Sequence, residues 1–341
     1  MSTTYIYNFN KQKHIPHNTM LRISEYSTMA EEAIRSITLP GGDLENLYAP
    51  VTYGMQAGGK RLRPTLLLMA ADAFGKCPGK AIDAACGIEM FHNFTLLHDD
   101  VMDNSDMRRG RPTVHAKWDA NTAILSGDTM LTLATQLMMK VDDSILRPVL
   151  DTFNSQAIKV YEGQCLDMGF ETRQDVTLDQ YIEMIKGKTG ALLGGAAKIG
   201  ALIGGASAED ADRMYDFGMM LGIAFQIDDD YLDTFGNADT FGKPIGGDIN
   251  NNKKTFLMTK ALSVGDSHSD ALRIALDMPA GPGKVKVVSK IYETMGIPAV
   301  CKAEVAAYSS KALAAVKATS LGDAEREAFR KLIDKLTGRN R

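Results

Sequence analysis

Two copies of one acidic pattern constrain what this chain can fold into. Leu97-His98-Asp99-Asp100-Val101-Met102-Asp103 and Phe225-Gln226-Ile227-Asp228-Asp229-Asp230-Tyr231-Leu232-Asp233 each carry D-D-x-x-D directly after an apolar run. Positions i and i+4 share one face of an α-helix, about 6 Å apart. Asp99 and Asp103 therefore point the same way, and so do Asp229 and Asp233. Phe94, Leu96 and Leu97 precede the first motif, and Ile223, Phe225 and Ile227 the second. In such company an unpaired charge is costly. A lone acidic triplet on a helix is usually a solvated face or a cap. Two copies in apolar settings favour a cation between carboxylates. Hard divalent ions, Mg²⁺ above all, suit all-oxygen ligands of this kind. Two such clusters facing each other would make a polymetal site for a polyphosphate.

The rest of the chain reads as helix after helix, with few β-branched alternating runs. Helical spans are expected at 22–37, 43–57, 62–75, 79–100, 114–118, 120–139, 144–168, 177–186 and 189–204, then at 208–233, 253–262, 267–277, 282–295, 297–319 and 322–337. Thr177-Leu-Asp-Gln and Ser207-Ala-Glu-Asp resemble capping boxes. The breakers Pro40-Gly41-Gly42, Pro78-Gly79, Gly110-Arg111-Pro112 and Pro279-Ala280-Gly281-Pro282 are too short for interdomain linkers. The expectation is a polar N-terminal extension over 1–20 and one large all-α domain over 21–341. Glycines crowd 187–205. They let helices approach closely or leave room for a ligand chain, and plain tight packing is the favoured reading. The nineteen methionines suit an adaptable apolar cavity, but more often mean a helical core.

A net charge of −4 over 341 residues gives no reason to expect nucleic acid as a partner. The longest apolar stretch, 191–206, is interrupted by Lys198 and dominated by Gly and Ala, so no membrane span is expected. The N-terminal residues lack the apolar core of a signal peptide. Cys77, Cys86, Cys165 and Cys301 show neither metal spacing nor a paired framework, which suits a reducing cytoplasm.

Basic motifs accompany the acidic ones. Gly58-Gly59-Lys60-Arg61-Leu62-Arg63-Pro64 sets cations after a glycine pair, just before a helix. Glycine permits close backbone approach, and Lys and Arg supply charge and forked donors for phosphate. Arg108-Arg109-Gly110-Arg111-Pro112-Thr113 follows the first acidic motif. Lys188-Thr189, the run Gly242 to Asp248 and the pair Lys253-Lys254 complete the set. Each alone is weak, since a basic helix start is commonly solvated. Together they describe anion sites beside metal sites.

From about residue 45 to 260 the chain resembles the trans-isoprenyl diphosphate synthases of the polyprenyl synthetase family. GGKRLRP, LLHDD..D....RRG.PT, EGQ..D, KTG, FQI.DD..D and GK..G.D....K.T stand in the family's order. The resemblance implies an isoprenoid synthase-type all-α bundle around a deep central cavity, as a homodimer. It implies Mg²⁺, three ions per active site, held by Asp99, Asp100, Asp103, Asp229, Asp230 and Asp233 on an allylic diphosphate. Asp233 is expected to act least directly, and the role of Asp228 stays open. Arg108, Lys188 and Lys243 would contact the allylic diphosphate, with Lys253 after the second motif. Lys60, Arg63, His92 and Arg109 would bind isopentenyl diphosphate. Thr189 and Gln226 would flank the reacting carbons.

The implied reaction is a 1′-4 condensation giving an all-trans prenyl diphosphate. The departing diphosphate gets the metals, and the retained one only basic side chains. No side chain of these motifs is an obvious base, so the released diphosphate would take the proton. Phe94 and Thr95 lie about 6–7.5 Å deeper than Asp99 at 1.5 Å per residue. In the family two aromatics at these places usually accompany C15 products, and a single one at the first often accompanies C20. C20 is favoured, with C15 close behind; the bland alternative is that Phe94 only packs in the core. A terpene cyclase would not need GGKRLRP or a second D-D-x-x-D. A non-catalytic partner subunit commonly loses an aspartate motif. A phosphohydrolase would explain the acids but not the ordered basic motifs.

Overall fold

The computed structural model describes residues 20–75, 77–237 and 245–338. Nearly all of the expected N-terminal extension, and Lys243, lie outside the described residues. In chain order the long helices are α1 (Ile23–Arg35), α2 (Glu45–Met55), α3 (Leu62–Gly75) and α4 (Ile82–Met102). A two-stranded hairpin follows, β1 (Met107–Arg108) with β2 (Arg111–Pro112). Then come α5 (Val114–Lys117), α6 (Ala120–Met138), α7 (Asp143–Glu171), α8 (Leu178–Ile185), α9 (Ala191–Ile203) and α10 (Ala208–Phe235). The last are α11 (Gly247–Asn250), α12 (Phe256–Val264), α13 (Ser267–Leu276), α14 (Pro282–Thr294), α15 (Ile297–Lys317) and α16 (Asp323–Thr337). Every span expected to be helical contains a helix.

Local chemistry accounts for the helix ends. The Thr177 hydroxyl accepts from Gln180 N at 3.2 Å while Gln180 Oε1 accepts from Thr177 N at 3.1 Å, a complete capping box. At Ser207 the hydroxyl accepts from Asp210 N at 3.1 Å, but the Asp210 carboxylate reaches Ser320, accepting from its backbone N at 3.0 Å and from its hydroxyl. Of the capping box expected there, the bond to the Ser207 hydroxyl is formed, while the Asp210 carboxylate serves Ser320.

The described residues fall into two compact units. The first runs to Asn154 and adds Ala196–Met214 and Ser320–Ala328. Its interior is α3, where Leu66 to Ala71 have no exposed surface, as suits a helix apolar on all sides. A Cβ on Gly200 would stand 2.2 Å from Leu67 O, and one on Gly204 2.7 Å from Ala71 O. On α4, a Cβ on Gly87 would stand 3.0 Å from Ala134 O of α6. Buried Asp72 accepts from the Tyr26 hydroxyl, whose titration burial pushes far up.

The second unit comprises Ser155–Gly195, Tyr215–Thr319 and the residues from Phe329 onward. Phe329, Leu332, Ile333 and Leu336 repeat at i, i+3, i+4, i+7 and are all buried, and Phe329 meets Phe217 at 5.2 Å. The glycine-rich segment is packing here too. A Cβ on Gly187 would stand 2.7 Å from Lys159 O, and one on Gly194 2.9 Å from the Tyr215 ring.

Candidate active site

In the first unit the GGKRLRP turn is built from left-handed backbone. Gly58 (φ 76°), Gly59 (φ 134°) and Arg61 (φ 46°) all have positive φ, which explains the glycine pair. Arg61 turns inward and is buried. It donates to Glu31 at 2.7 Å, Glu89 at 2.8 Å and Met55 O at 2.6 Å. Such an anchor fixes the directions in which Lys60 and Arg63 leave the turn. Sequence reasoning assigned Arg61 no role, because a buried clamp of this kind depends on residues 28 and 30 positions away.

Arg63, His92 and Arg109 form one electrostatic neighbourhood. Burial, then Arg63 and Arg109, hold the His92 imidazole well below its usual range, so the ring is neutral at pH 7. Burial pulls the Arg63 guanidinium down to about 10, with Arg109 adding to the effect and Glu89 opposing it. Arg63 Nε is buried with no hydrogen-bond partner among the described residues. A buried donor left over beside a second guanidinium and a neutral imidazole is what an anion would satisfy. Arg109 (φ 51°) donates to Gly58 O, and the Gly59 position has room for no Cβ beside its guanidinium. A small open recess nearby, with a cavity volume of about 30 Å³, is lined by residues including Tyr53, Asn93, Leu97, Asp100, Arg108 and Arg109.

The first acidic motif sits at the end of α4, with Asp103 as its C-cap. A helix C-terminus carries partial negative charge and disfavours carboxylates. Asp99 is half-buried, Asp103 exposed and Asp100 buried. Arg108 fastens to Asp100, its Nε and Nη2 each 2.7 Å from Asp100 Oδ1.

In the second unit the other motif occupies the same kind of place, with Asp233 two residues before the end of α10 at Phe235. Asp230 is buried, and its carboxylate accepts from the Tyr181 hydroxyl at 2.6 Å, Phe256 N at 2.9 Å and Gln226 Nε2 at 2.9 Å. Burial, then Asp248, still push its titration upward. Asp233 Oδ2 accepts from Asp248 N at 3.0 Å and its carbonyl from Gly246 N at 2.6 Å, which fixes the start of α11. Gln226 also accepts from the Thr189 hydroxyl at 3.0 Å, so the two residues expected to flank the reacting carbons do meet. Lys253 is exposed. Asn252 before it is left-handed (φ 52°) and held by buried Lys284, 2.7 Å from its Oδ1.

Lys188 stands in a π-helical turn, Lys186–Gly190, and pairs with Asp167. Single π turns inside helices frequently mark functional positions. The turn lies flat on α7 because Gly163 has no side chain: a Cβ there would be 2.2 Å from Lys188 N. Backbone cannot yield as a flexible side chain does. Gly163→Ala is therefore expected to cost about 1–3 kcal/mol, seen as a lower thermal midpoint.

Residues 44–295 match the family profile described as Polyprenyl synthetase. The chain belongs to the polyprenyl synthetase family. It is 39% identical over 272 residues to a short chain isoprenyl diphosphate synthase of Methanothermobacter thermautotrophicus, covering 80% of this chain and 82% of that one. Among solved structures it resembles a geranylgeranyl pyrophosphate synthase with TM-score 0.90 and 39% identity, over 94% of this chain and all of that one. A geranylgeranyl pyrophosphate synthase from Corynebacterium glutamicum, complexed with isoprenyl diphosphate and magnesium, matches with TM-score 0.80 and 26% identity over 94% and 97% of the two chains. This member of the polyprenyl synthetases is thus an all-α isoprenoid-synthase fold and a prenyltransferase.

The donor set of this polyprenyl synthetase fits a divalent ion in a particular way. Among the described residues no group of three His, Cys, Asp or Glu side chains is gathered to hold an ion unaided. Mg²⁺ usually takes one or two carboxylates, several waters and the oxygens of a substrate phosphate. Carboxylates at helix ends that disfavour them suit that division. Among the described residues no helix is long and apolar enough to cross a membrane.

Proposed function

We propose that this enzyme condenses isopentenyl diphosphate with allylic diphosphates, head to tail and in the presence of Mg²⁺, to an all-trans short-chain prenyl diphosphate. C20 is the favoured product and C15 the next. The observation that carries this reading is that the chain holds two chemically different anion receptors. One is carboxylate, usable only through a metal. The other is Arg63, His92 and Arg109, with a buried donor of Arg63 left to satisfy.

In this reading Asp99, Asp100, Asp103, Asp229, Asp230 and Asp233 hold the ions, and the protein donors on Asp100, Asp230 and Asp233 help to set their geometry. When bound, the ions, three in the full complement, would neutralise charge growing on the departing diphosphate. Arg108, Lys188 and Lys243 add to that neutralisation, with Lys253 beyond them. Lys60, Arg63, His92 and Arg109 hold the diphosphate that stays. Neutral His92 offers one N–H without adding charge. The Thr189 hydroxyl and Gln226 amide offer dipoles to the carbon that becomes positive. The departing diphosphate takes the proton. Phe94 and Thr95 limit chain length. Residues 21–341 act as one polyprenyl synthetase domain.

The enzyme works as a homodimer. α6 leaves Ile124 and Leu125 43% and 59% exposed, an apolar pair that a second copy would cover. Four free cysteines suit the cytoplasm.

The test is to incubate purified protein with Mg²⁺, isopentenyl diphosphate and each of the C5, C10 and C15 allylic diphosphates, and to size the products. A dominant C20 product is expected. No elongation from any primer, in folded and metal-replete protein, would sink the reading.

A further inference from the structure

The hairpin β1–β2 carries Arg108 and Arg109, yet it has only the pairs Met107 with Pro112 and Arg108 with Arg111. A two-residue ribbon cannot hold its own orientation in water. Its direction must come from what it rests on. Three contacts tie it to the end of α2 and the turn beyond. The Tyr53 hydroxyl donates to Pro112 O at 2.8 Å, Arg111 Nη1 donates to Gln56 O at 3.2 Å, and Arg109 donates to Gly58 O.

Tyr53 also does something less expected. Its ring carries two cations, Arg111 Cζ at 4.1 Å and Lys117 Nζ at 4.2 Å from the centroid. Trp118 meets the same ring edge-on at 5.3 Å, and Lys117 lies 4.5 Å from Trp118. Two cations this close repel each other, and the negative face of an aromatic ring is what draws both in without an acid. A carboxylate in its place would put an anion beside the very arginines that must receive a diphosphate. The ring steadies the hairpin and leaves the field positive. Tyr53 also lines the same space as Arg108 and Arg109.

We propose that Tyr53 is a positioning residue for the isopentenyl diphosphate site, acting through the aromatic–cation stack with Arg111, Lys117 and Trp118 that fixes the arginine hairpin. This rests on the proposed function, which assigns Arg109 to that diphosphate. Trp118 is the chain's only tryptophan, so its fluorescence reports on the stack without interference.

The experiment uses the full chain. Wild type, Tyr53→Phe, Tyr53→Leu and Arg111→Met are compared for kcat, for KM of each substrate, and for Trp118 emission during titration with isopentenyl diphosphate alone. Tyr53→Leu is expected to raise KM for isopentenyl diphosphate about tenfold, since small misplacements of binding groups carry penalties of that order or more. KM for the allylic substrate should rise less, because Arg108 on the same hairpin is held in addition by Asp100, and the emission change should move to correspondingly higher concentration. Tyr53→Phe, which keeps the ring and loses only the bond to Pro112 O, should fall between.

An unchanged KM and titration in Tyr53→Leu, beside an active wild type, overturns the proposal. So does a fall in kcat with no change in that KM. Should Tyr53→Leu fail to fold, Arg111→Met carries the decision, because it removes one cation and spares the ring. It must raise the same KM, or the proposal fails. The two readings fail separately. A wild type that neither condenses nor binds isopentenyl diphosphate sinks both, whereas an active wild type with an indifferent Tyr53 sinks this one alone.

Discussion

Asp99→Asn and Asp229→Asn are each expected to lower kcat on the order of 10³-fold, the scale on which removing one preorganised charge-stabilising group acts. Both substitutions keep size and shape and remove one negative charge. Asp99 lies in the last turn of α4, and Asp229 lies six residues before the end of α10. The helix field opposes Asp99, which stands in the last turn, and the carboxylates of Asp103 and Asp233, at i+4, repel Asp99 and Asp229 respectively. A residue that costs stability where it stands is retained for what it binds. The stability readout therefore runs opposite to activity. In metal-free buffer each variant should melt at the wild-type temperature or above it, because a repulsion has been removed.

Asp233→Asn gives the contrast. Its Oδ2 accepts from Asp248 N, and an asparagine carbonyl can take over that bond. Because that bond is kept, a loss of about tenfold at most is expected there, the scale of one hydrogen bond. Turnover at saturating Mg²⁺, a Mg²⁺ titration and a melting curve separate the cases. An Asp99→Asn enzyme keeping a tenth of wild-type turnover at ordinary Mg²⁺ would remove Asp99 from the metal site.

The helices were legible because their signals are local. The i, i+3, i+4, i+7 stripe of Phe329, Leu332, Ile333 and Leu336 and the cap at Thr177 each need only a few neighbouring residues. The aspartate motifs were legible for the same reason. What was not legible depends on distant partners. Nothing near Asp230 announces that its carboxylate accepts from Tyr181, 49 residues earlier, and from the backbone of Phe256, 26 residues later. The pattern D-D-x-x-D does not show which donors the fold brings to Asp230. The π turn at Lys186–Gly190 escaped as well, since the space it fills is left by the missing side chain at Gly163 on another helix. The arginine hairpin read as a breaker, because two paired residues per strand fall below any periodic signal.

Phe94→Ala is expected to shift the product from C20 to longer chains by at least one C5 unit. Phe94 is 6% exposed and lies against the His98 ring at 4.8 Å and Phe91 at 5.5 Å, with Phe91 in turn 5.4 Å from Phe153. It is the first of three aromatics in contact, so its removal opens space without removing the rings behind it. Thr95 next to it is small, and its hydroxyl is spent on His92 O at 2.8 Å. The substitution creates a cavity and is expected to cost about 3–5 kcal/mol, so Phe94→Leu serves as a milder companion. Product sizing by reversed-phase chromatography distinguishes the cases. Longer products from both variants, with Phe94→Ala the further shifted, make Phe94 part of the chain-length stop. Unchanged C20 from both, at reduced stability, leaves Phe94 as core packing and moves the stop to another side chain. A wild type that ends at C15 and a Phe94→Ala variant that ends at C20 would keep the role of Phe94 and correct the favoured product by one unit.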